Sequence, residues 1–287
     1  MSKAIIGVIG GSGLYAIDGV DVVAEHQVET PFGAPSDALI EAKIGDTTLF
    51  FLPRHGRGHR FSPSEINYRA NIWALRKVGC TDVLSVSAVG SMQEHIAPGD
   101  VVLPTQFIDR TVGRARTFFE GGIVAHVGFA DPISERVRQA TIAACKKVDV
   151  TAHEGGAYVC IEGPQFSTRA ESALFRTWPD VKVIGMTNMP EARLAREAEL
   201  AYATLALVTD YDCWHEEHDA VTVDAVIATM VKNVAVAKQV IVELAKAPPS
   251  LACESHQALR HAVMTHGDAV DPAARARVAL FMDKYSV

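Results

Sequence analysis

The run Leu205-Ala206-Leu207-Val208-Thr209-Asp210-Tyr211-Asp212-Cys213-Trp214 is apolar until it ends in two carboxylates one residue apart. If extended geometry persists through Tyr211, Asp210 and Asp212 face the same side, because strand side chains repeat every two residues. Two carboxyls so placed can read the N–H and ring-nitrogen edge of a heterocyclic base, and one with a raised pKa can protonate a leaving group. A helix cap or a magnesium site would use the same residues. His215-Glu216-Glu217-His218 follows closely but matches neither spacing of the zinc-binding helices, so no metal is expected.

Leu52-Pro53-Arg54-His55-Gly56-Arg57-Gly58-His59-Arg60 places three arginines and two histidines within seven residues of a glycine-containing loop. Guanidinium forks match phosphate oxygens, and imidazole adds a donor tunable near neutrality. Taken alone, the segment could equally be a basic loop that meets only solvent. Near the start, Ile5-Ile6-Gly7-Val8-Ile9 runs into Gly10-Gly11-Ser12-Gly13, where backbone N–H groups and the Ser12 hydroxyl could cradle an anion. Gly11, Gly13 and Ala16 also fit a relaxed dinucleotide fingerprint. Against that reading, Ile17-Asp18-Gly19-Val20-Asp21 breaks the helix that would present its N-terminus to a pyrophosphate, and a ligand-free glycine turn stays open. Two loops recruiting the same kind of ligand together point to phosphate as ligand or substrate.

These loops need elements to position them. Short apolar runs at 4–9, 47–52, 82–87, 100–104, 157–161, 181–186 and 202–209 read as buried strands. Helical patterns lie at 64–78 with Ser64 as cap, 132–147, 168–177 with a Thr168/Glu171 capping box, 190–199, 222–246, 254–264 and 272–284. Such alternation argues for an α/β domain with a largely parallel sheet. The Ala-Pro-Pro-Ser stretch at 247–250 divides a main domain, 1–248, from a helical tail, 249–287, expected to pack on the domain or on a neighbouring subunit.

The 287 residues carry 27 Lys and Arg against 34 Asp and Glu, a net charge of -7 without basic runs, which argues against a nucleic-acid partner. Five scattered cysteines without a C-x-x-C pair suit a reducing compartment rather than a disulfide framework. With no bilayer-length apolar run and no signal-peptide pattern, a cytoplasmic protein without membrane contact is expected.

Gly10-Gly11-Ser12-Gly13-Leu14, Thr30-Pro31-Phe32-Gly33-Ala34-Pro35-Ser36-Asp37, Arg54-His55-Gly56-Arg57, Asn67–Leu75, Glu162-Gly163-Pro164-Gln165-Phe166, Met186-Thr187-Asn188-Met189-Pro190-Glu191 and Thr209–Trp214 occur in order. Together they resemble the 5′-methylthioadenosine phosphorylases of the trimeric purine nucleoside phosphorylase superfamily. The resemblance, over about residues 4–246, implies a single-domain α/β nucleoside phosphorylase fold with a central mixed β-sheet flanked by helices. It implies cleavage of methylthioadenosine by inorganic phosphate in a homotrimer, with phosphate as co-substrate and no cofactor. Ser12, Arg54, His55, Ser87, Ala88 and Thr187 would hold phosphate, Met186 would lie against the ribose, and Phe166 would contact the base. Asp210, the catalytic proton donor, and Asp212 would face the purine N7 and 6-amino edge. Ser167 and Val223 fall where the family tunes specificity, and His126 aligns loosely with a residue lent across the trimer interface. Relatives preferring 6-oxo purines carry Asn near Asp212, so Asp-Tyr-Asp points to a 6-amino purine. The alternatives are a phosphorylase of 6-oxo purines, a nucleotide-binding dehydrogenase and a non-catalytic purine-binding protein. Ser12 stands where Thr is common, Val89 where Cys is, Gln165 where Arg is, and Asn188-Met189 where Thr-Val is usual.

Overall fold

The computed structural model describes residues 4–285 except 12, 15, 16, 18, 19, 216–222 and 252, with side chains omitted for 223–228. In chain order the elements are β1 (Ile5–Gly10), β2 (Asp21–His26), β3 (Leu39–Ile44), β4 (Thr47–Pro53), α1 (Tyr68–Lys77), β5 (Asp82–Ser91), β6 (Val101–Leu103), β7 (Gln106–Arg110), α2 (Glu135–Val148), β8 (Ala152–Glu154), β9 (Ala157–Ile161), α3 (Arg169–Arg176), β10 (Val181–Gly185), α4 (Asn188–Glu197), β11 (Ala201–Asp210), α5 (Val223–Lys246) and α6 (Pro272–Met282).

The runs that are apolar on both faces become the centre of one mixed sheet. β4, β1 and β5 are parallel neighbours, and β11 lies parallel along the opposite edge of β5. Beyond β4 the antiparallel strands β3 and β2 extend the sheet, while β6 and β8 extend it beyond β11. β10 meets the far end of β5 in the antiparallel sense and carries β9 and then β7 parallel to itself. β5 is therefore the hub. One of its edges pairs with β11 from Asp82 to Gly90. The other pairs with β1 only over Asp82–Ser85 and with β10 only at Gly90 and Ser91, so among the described residues Val86–Val89 face no strand there.

Helices cover both faces. On one, α1 and α4 supply Ile72, Leu75, Leu194 and Ala195 to a core shared with Ile9; on the other, α2 and α5 supply Ile142, Ala237, Ile241 and Leu244 to a core shared with Ile6 and Val8. Alternate β1 residues thus face opposite helical layers, as strand geometry requires. The capping box at Thr168 forms as expected, with the Glu171 N–H donating to Thr168 Oγ1 at 3.2 Å and the Thr168 N–H to Glu171 at 2.8 Å.

Two expected elements are revised. The first helix starts at Tyr68, because Asn67 and not Ser64 is its cap: Asn67 Oδ1 accepts the Ala70 N–H at 3.1 Å while Nδ2 donates to the Phe32 carbonyl at 2.7 Å. Ser64 instead donates to the Glu162 carboxylate. The pattern at 254–264 yields only a 3₁₀ turn, Glu254–Gln257, followed by turns. Its backbone is taken by partners elsewhere: the Leu259 N–H donates to Glu199 at 3.0 Å, the Ala262 carbonyl accepts from His126 at 2.8 Å, and Val263 bridges to Ala125.

Leu259, Ala274, Val278, Phe281 and Met282, all beyond residue 248, are buried in the same core as α1 and α4. Phe281 packs on Phe118 with ring centroids 4.8 Å apart. Phe281→Ala is expected to cost about 3–5 kcal/mol, since a fully buried aromatic is replaced by a cavity. The denaturant midpoint measures this, and an unchanged midpoint would show that the tail stands outside the cooperative unit.

Candidate active site

The unpaired stretch of β5 is the floor of a cavity of about 750 Å³ lined by Val86, Ser87, Ala88, Val89 and Gly90. That is ample for a small-molecule ligand. Segments following strand ends supply the walls: Gly11 after β1, Arg54 and His55 after β4, Pro164 and Phe166 after β9, Met186 and Thr187 after β10. Thr209, Asp210 and Asp212 close it from β11. This is the crevice outside carboxyl ends of strands in which open α/β sheets bind ligands.

One half is basic and hydroxyl-rich. Arg54 is buried, and its fork, expected to face an anion, is committed to Glu191: Nε donates to Oε2 at 2.8 Å and Nη2 to Oε1 at 3.0 Å. Nη2 also donates to Ser85 Oγ at 2.6 Å and Nη1 to the Val86 carbonyl at 2.9 Å, so by donor count one Nη1 hydrogen is left for a ligand. Glu191 Oε1 accepts further hydrogen bonds from Ser85 Oγ at 2.7 Å and Tyr202 Oη at 2.9 Å. Asn188 Nδ2 donates to Ser85 Oγ at 2.8 Å and to Tyr202 Oη at 2.5 Å. Glu191 is the residue that sequence reasoning missed as a partner. It stands in a quoted motif, yet a lone Glu on a helix gives no sign that it faces a buried guanidinium.

The expected concentration of positive charge in the Arg54–Arg60 loop is also reduced. Arg57 pairs with Glu25 at 2.8 Å and Asp37 at 3.4 Å, and its backbone N–H donates to Asp37 at 2.7 Å. The Thr30–Asp37 motif thereby holds this loop. His55 stacks on His59 at 4.2 Å, and its Nδ1 lies 2.8 Å from the Phe61 carbonyl. A carbonyl only accepts, so Nδ1 carries the proton. Burial, reinforced by nearby Arg54, pushes the His55 pKa down to about 4. The neutral ring therefore offers Nε2 as an acceptor, where sequence reasoning expected a donor. Ser87 Oγ lies 3.0 Å from Tyr158 Oη and 3.2 Å from Thr187 Oγ1, forming a hydroxyl cluster at the floor.

The other half is acidic. Asp210 and Asp212 line the same cavity, but strand alternation is not what brings them together. A bulge at Thr209 shifts the β11 register, pairing Val208 with Val89 and Asp210 with Gly90, and the strand ends there. Bulges re-aim side chains in this way. Asp212 lies in a turn at φ 54°, its N–H donating to Asp210 Oδ1 at 2.8 Å. Thr209 Oγ1 is 2.6 Å from Asp210 Oδ2. Gly90 makes room for the pair, since a Cβ there would lie 2.9 Å from Asp210 Oδ1. Burial raises the Asp210 carboxyl above the usual range against those two hydrogen bonds, and raises Asp212 with help from the Asp210 charge.

Other expected residues divide. Phe166 stands at the rim, 57% exposed, and Met186 and Ala88 line the cavity. Ser167 does not line it; its hydroxyl is buried without a partner among the described residues, and its carbonyl accepts from Cys213 Sγ at 3.3 Å. Ser12 and the side chain of Val223 lie outside the described residues, as do Glu216, Glu217 and His218. His126 is exposed and its backbone pairs with Ala262.

Comparison with known proteins gives one answer. Residues 5–246 match the phosphorylase superfamily. The S-methyl-5′-thioadenosine phosphorylase of Geobacter sulfurreducens is 52% identical over 285 residues, covering 99% of both chains. A methylthioadenosine phosphorylase from an antarctic soil metagenomic library superposes with a TM-score of 0.91 at 46% identity, covering 98% of this chain and 100% of that one. The methylthioadenosine phosphorylase of Schistosoma mansoni, solved with adenine, gives 0.82 at 38% identity, covering 98% of each.

The raised carboxyls make a stability prediction. A carboxyl whose folded pKa is raised contributes stability that is present below its ordinary pKa and lost as pH rises through the raised value. Asp210→Asn should therefore be at least as stable as the parent at pH 7, since Asn can accept from the Asp212 N–H and donate to Thr209 Oγ1, and the difference should shrink toward pH 4. The lowered His55 acts in the opposite sense, losing stability as pH falls from its ordinary 6.5 through about 4, but both chains share it. Melting temperatures across pH 4–8 check this; a marked loss for Asp210→Asn at pH 7 would contradict it.

Proposed function

The chain belongs to the phosphorylase superfamily, as a member of its methylthioadenosine phosphorylase group, and from that premise we propose that it cleaves 5′-methylthioadenosine with inorganic phosphate. The products are adenine and 5-methylthioribose 1-phosphate. The observation that carries the reading is the division of one cavity into an anion-accepting half, Arg54, Ser87 and Thr187, and a half holding two carboxyls of raised pKa, Asp210 and Asp212.

Breaking the C1′–N9 bond builds positive charge on the sugar and negative charge on the purine. Phosphate seated at the floor by Arg54, Ser87, Ala88 and Thr187, with Ser12 from the glycine loop, supplies the anion below the sugar. One of its oxygens forms the new bond to C1′. The neutral His55 accepts from a phosphate or ribose hydroxyl. Asp210 gives its proton to N7 as the purine leaves, which its raised pKa favours. Asp212 accepts from the 6-amino group and meets a 6-oxo group acceptor against acceptor. Met186 packs against the ribose, Phe166 against the base, and Ser167 and Val223 tune specificity. The reaction needs neither redox cofactor nor metal, because phosphate and a proton donor balance its charges.

We also propose a homotrimer, as the resemblance to the trimeric purine nucleoside phosphorylases implies. His126 would reach a neighbour's methylthio pocket in that assembly. Free cysteines fit a cytoplasmic setting, and among the described residues no helix is long and apolar enough to cross a membrane.

The test is adenine release from methylthioadenosine with and without phosphate, alongside methylthioinosine. Phosphate-dependent release from methylthioadenosine alone is expected. Release without phosphate would replace phosphorolysis by hydrolysis, and turnover confined to the 6-oxo nucleoside would overturn the role of Asp212. Asp210→Asn should lower kcat by about 10²–10⁴, the usual worth of a positioned proton donor. Asp212→Asn should raise the methylthioinosine to methylthioadenosine ratio of kcat/KM.

A further inference from the structure

Arg114 is buried behind the cavity wall rather than in its lining. Its Nη1 donates to the Met186 and Met189 carbonyls, both at 2.6 Å, and lies 3.2 Å from Tyr68 Oη. Nη2 donates to the Glu162 carbonyl at 2.6 Å, and Nε lies 3.4 Å from the Glu162 carboxylate. That carboxylate in turn accepts the Val112 N–H at 2.5 Å, the Gly113 N–H at 3.3 Å and the Ser64 hydroxyl. One guanidinium and one carboxylate therefore join the segments carrying Glu65, Phe166 and Met186 into the cavity. A planar fork with five donors can span such a set; an ammonium cannot.

Of the two carbonyls held by Nη1, that of Met186 belongs to the peptide plane leading into Thr187, and that of Met189 lies two residues further along. Met186 is packed tightly against the neighbouring loop, for a Cβ at Gly163 would lie 2.6 Å from Met186 Sδ. We propose that Arg114, seated by Glu162, is a positioning residue for both halves of the site. It sets Met186 and Thr187 at a fixed separation from the 161–166 loop, so that sugar, base and phosphate meet in line. This rests on the reaction proposed above.

The test compares Arg114→Lys and Arg114→Ala with the parent chain under saturating and limiting methylthioadenosine and phosphate. Both variants should lose about a hundredfold in kcat/KM, the scale of a misplacement of about 1 Å, with KM raised for both substrates. Millimolar guanidinium should restore Arg114→Ala, and ammonium should not. Parental kcat and KM in Arg114→Lys would overturn the proposal. So would a loss in Arg114→Ala that follows only the folded fraction, with KM unchanged and no response to guanidinium. If Arg114→Ala does not fold, Arg114→Lys and Glu162→Gln decide. Adenine binding by calorimetry separates this role from the reaction itself: should the parent bind adenine without turning over methylthioadenosine, the reaction fails, while weakened adenine binding in Arg114→Lys upholds the positioning role and parental binding overturns it.

Discussion

Everything at the centre of this molecule depends on one strand edge that runs out of partners. β5 is held along one side by β11, while on the other β1 leaves after Ser85 and β10 arrives only at Gly90, from the opposite direction. Buried backbone groups need hydrogen-bond partners, so the stretch between cannot simply be covered with apolar side chains. Part of the need is met from within, where Arg54 takes the Val86 carbonyl at 2.9 Å. The rest faces a cavity. A polar floor in an apolar sheet follows from topology before any catalytic side chain is considered.

Charge is then distributed over that floor without leaving it unbalanced. Burying a lone guanidinium is costly, and Glu191 matches Arg54 with Ser85, Tyr202 and Asn188 completing the network. Held this way, Arg54 needs no rearrangement to receive a ligand, which is what electrostatic preorganisation demands. On the opposite wall burial works on carboxyls instead, and the same desolvation that lowers His55 raises Asp210 and Asp212. One buried cavity thus holds an uncharged acceptor and two carboxyls of raised pKa.

How much of this the chain announces depends on burial. β1, β4, β5 and β11 are packed on both faces and read as continuous apolar runs. β2, β7 and β8 are short and largely exposed or half-buried, so Asp21–His26, Gln106–Arg110 and Ala152–Glu154 carry polar residues that hide them. β3, Leu-Ile-Glu-Ala-Lys-Ile, is hidden in the same way, because Glu41 and Lys43 interrupt its apolar residues. The acidic pair was legible as chemistry but not as geometry, because a bulge and a turn replace the alternation that would have aimed it. Glu191 and Arg114 were opaque for a common reason: each acts through a partner far away in sequence, 137 residues for the Arg54–Glu191 bond and 72 for Arg114 to Met186.

Asp212 sits in the left-handed region, where most side chains are strained and Asp and Asn are the best tolerated after glycine. In the proposed reaction Asp or Asn here would read opposite hydrogen-bonding edges of a purine, and these are the two non-glycine residues this backbone accepts most readily. A lineage could exchange one base preference for the other by a single substitution without first remodelling the turn, so the conformation chosen for geometry also keeps the site evolvable.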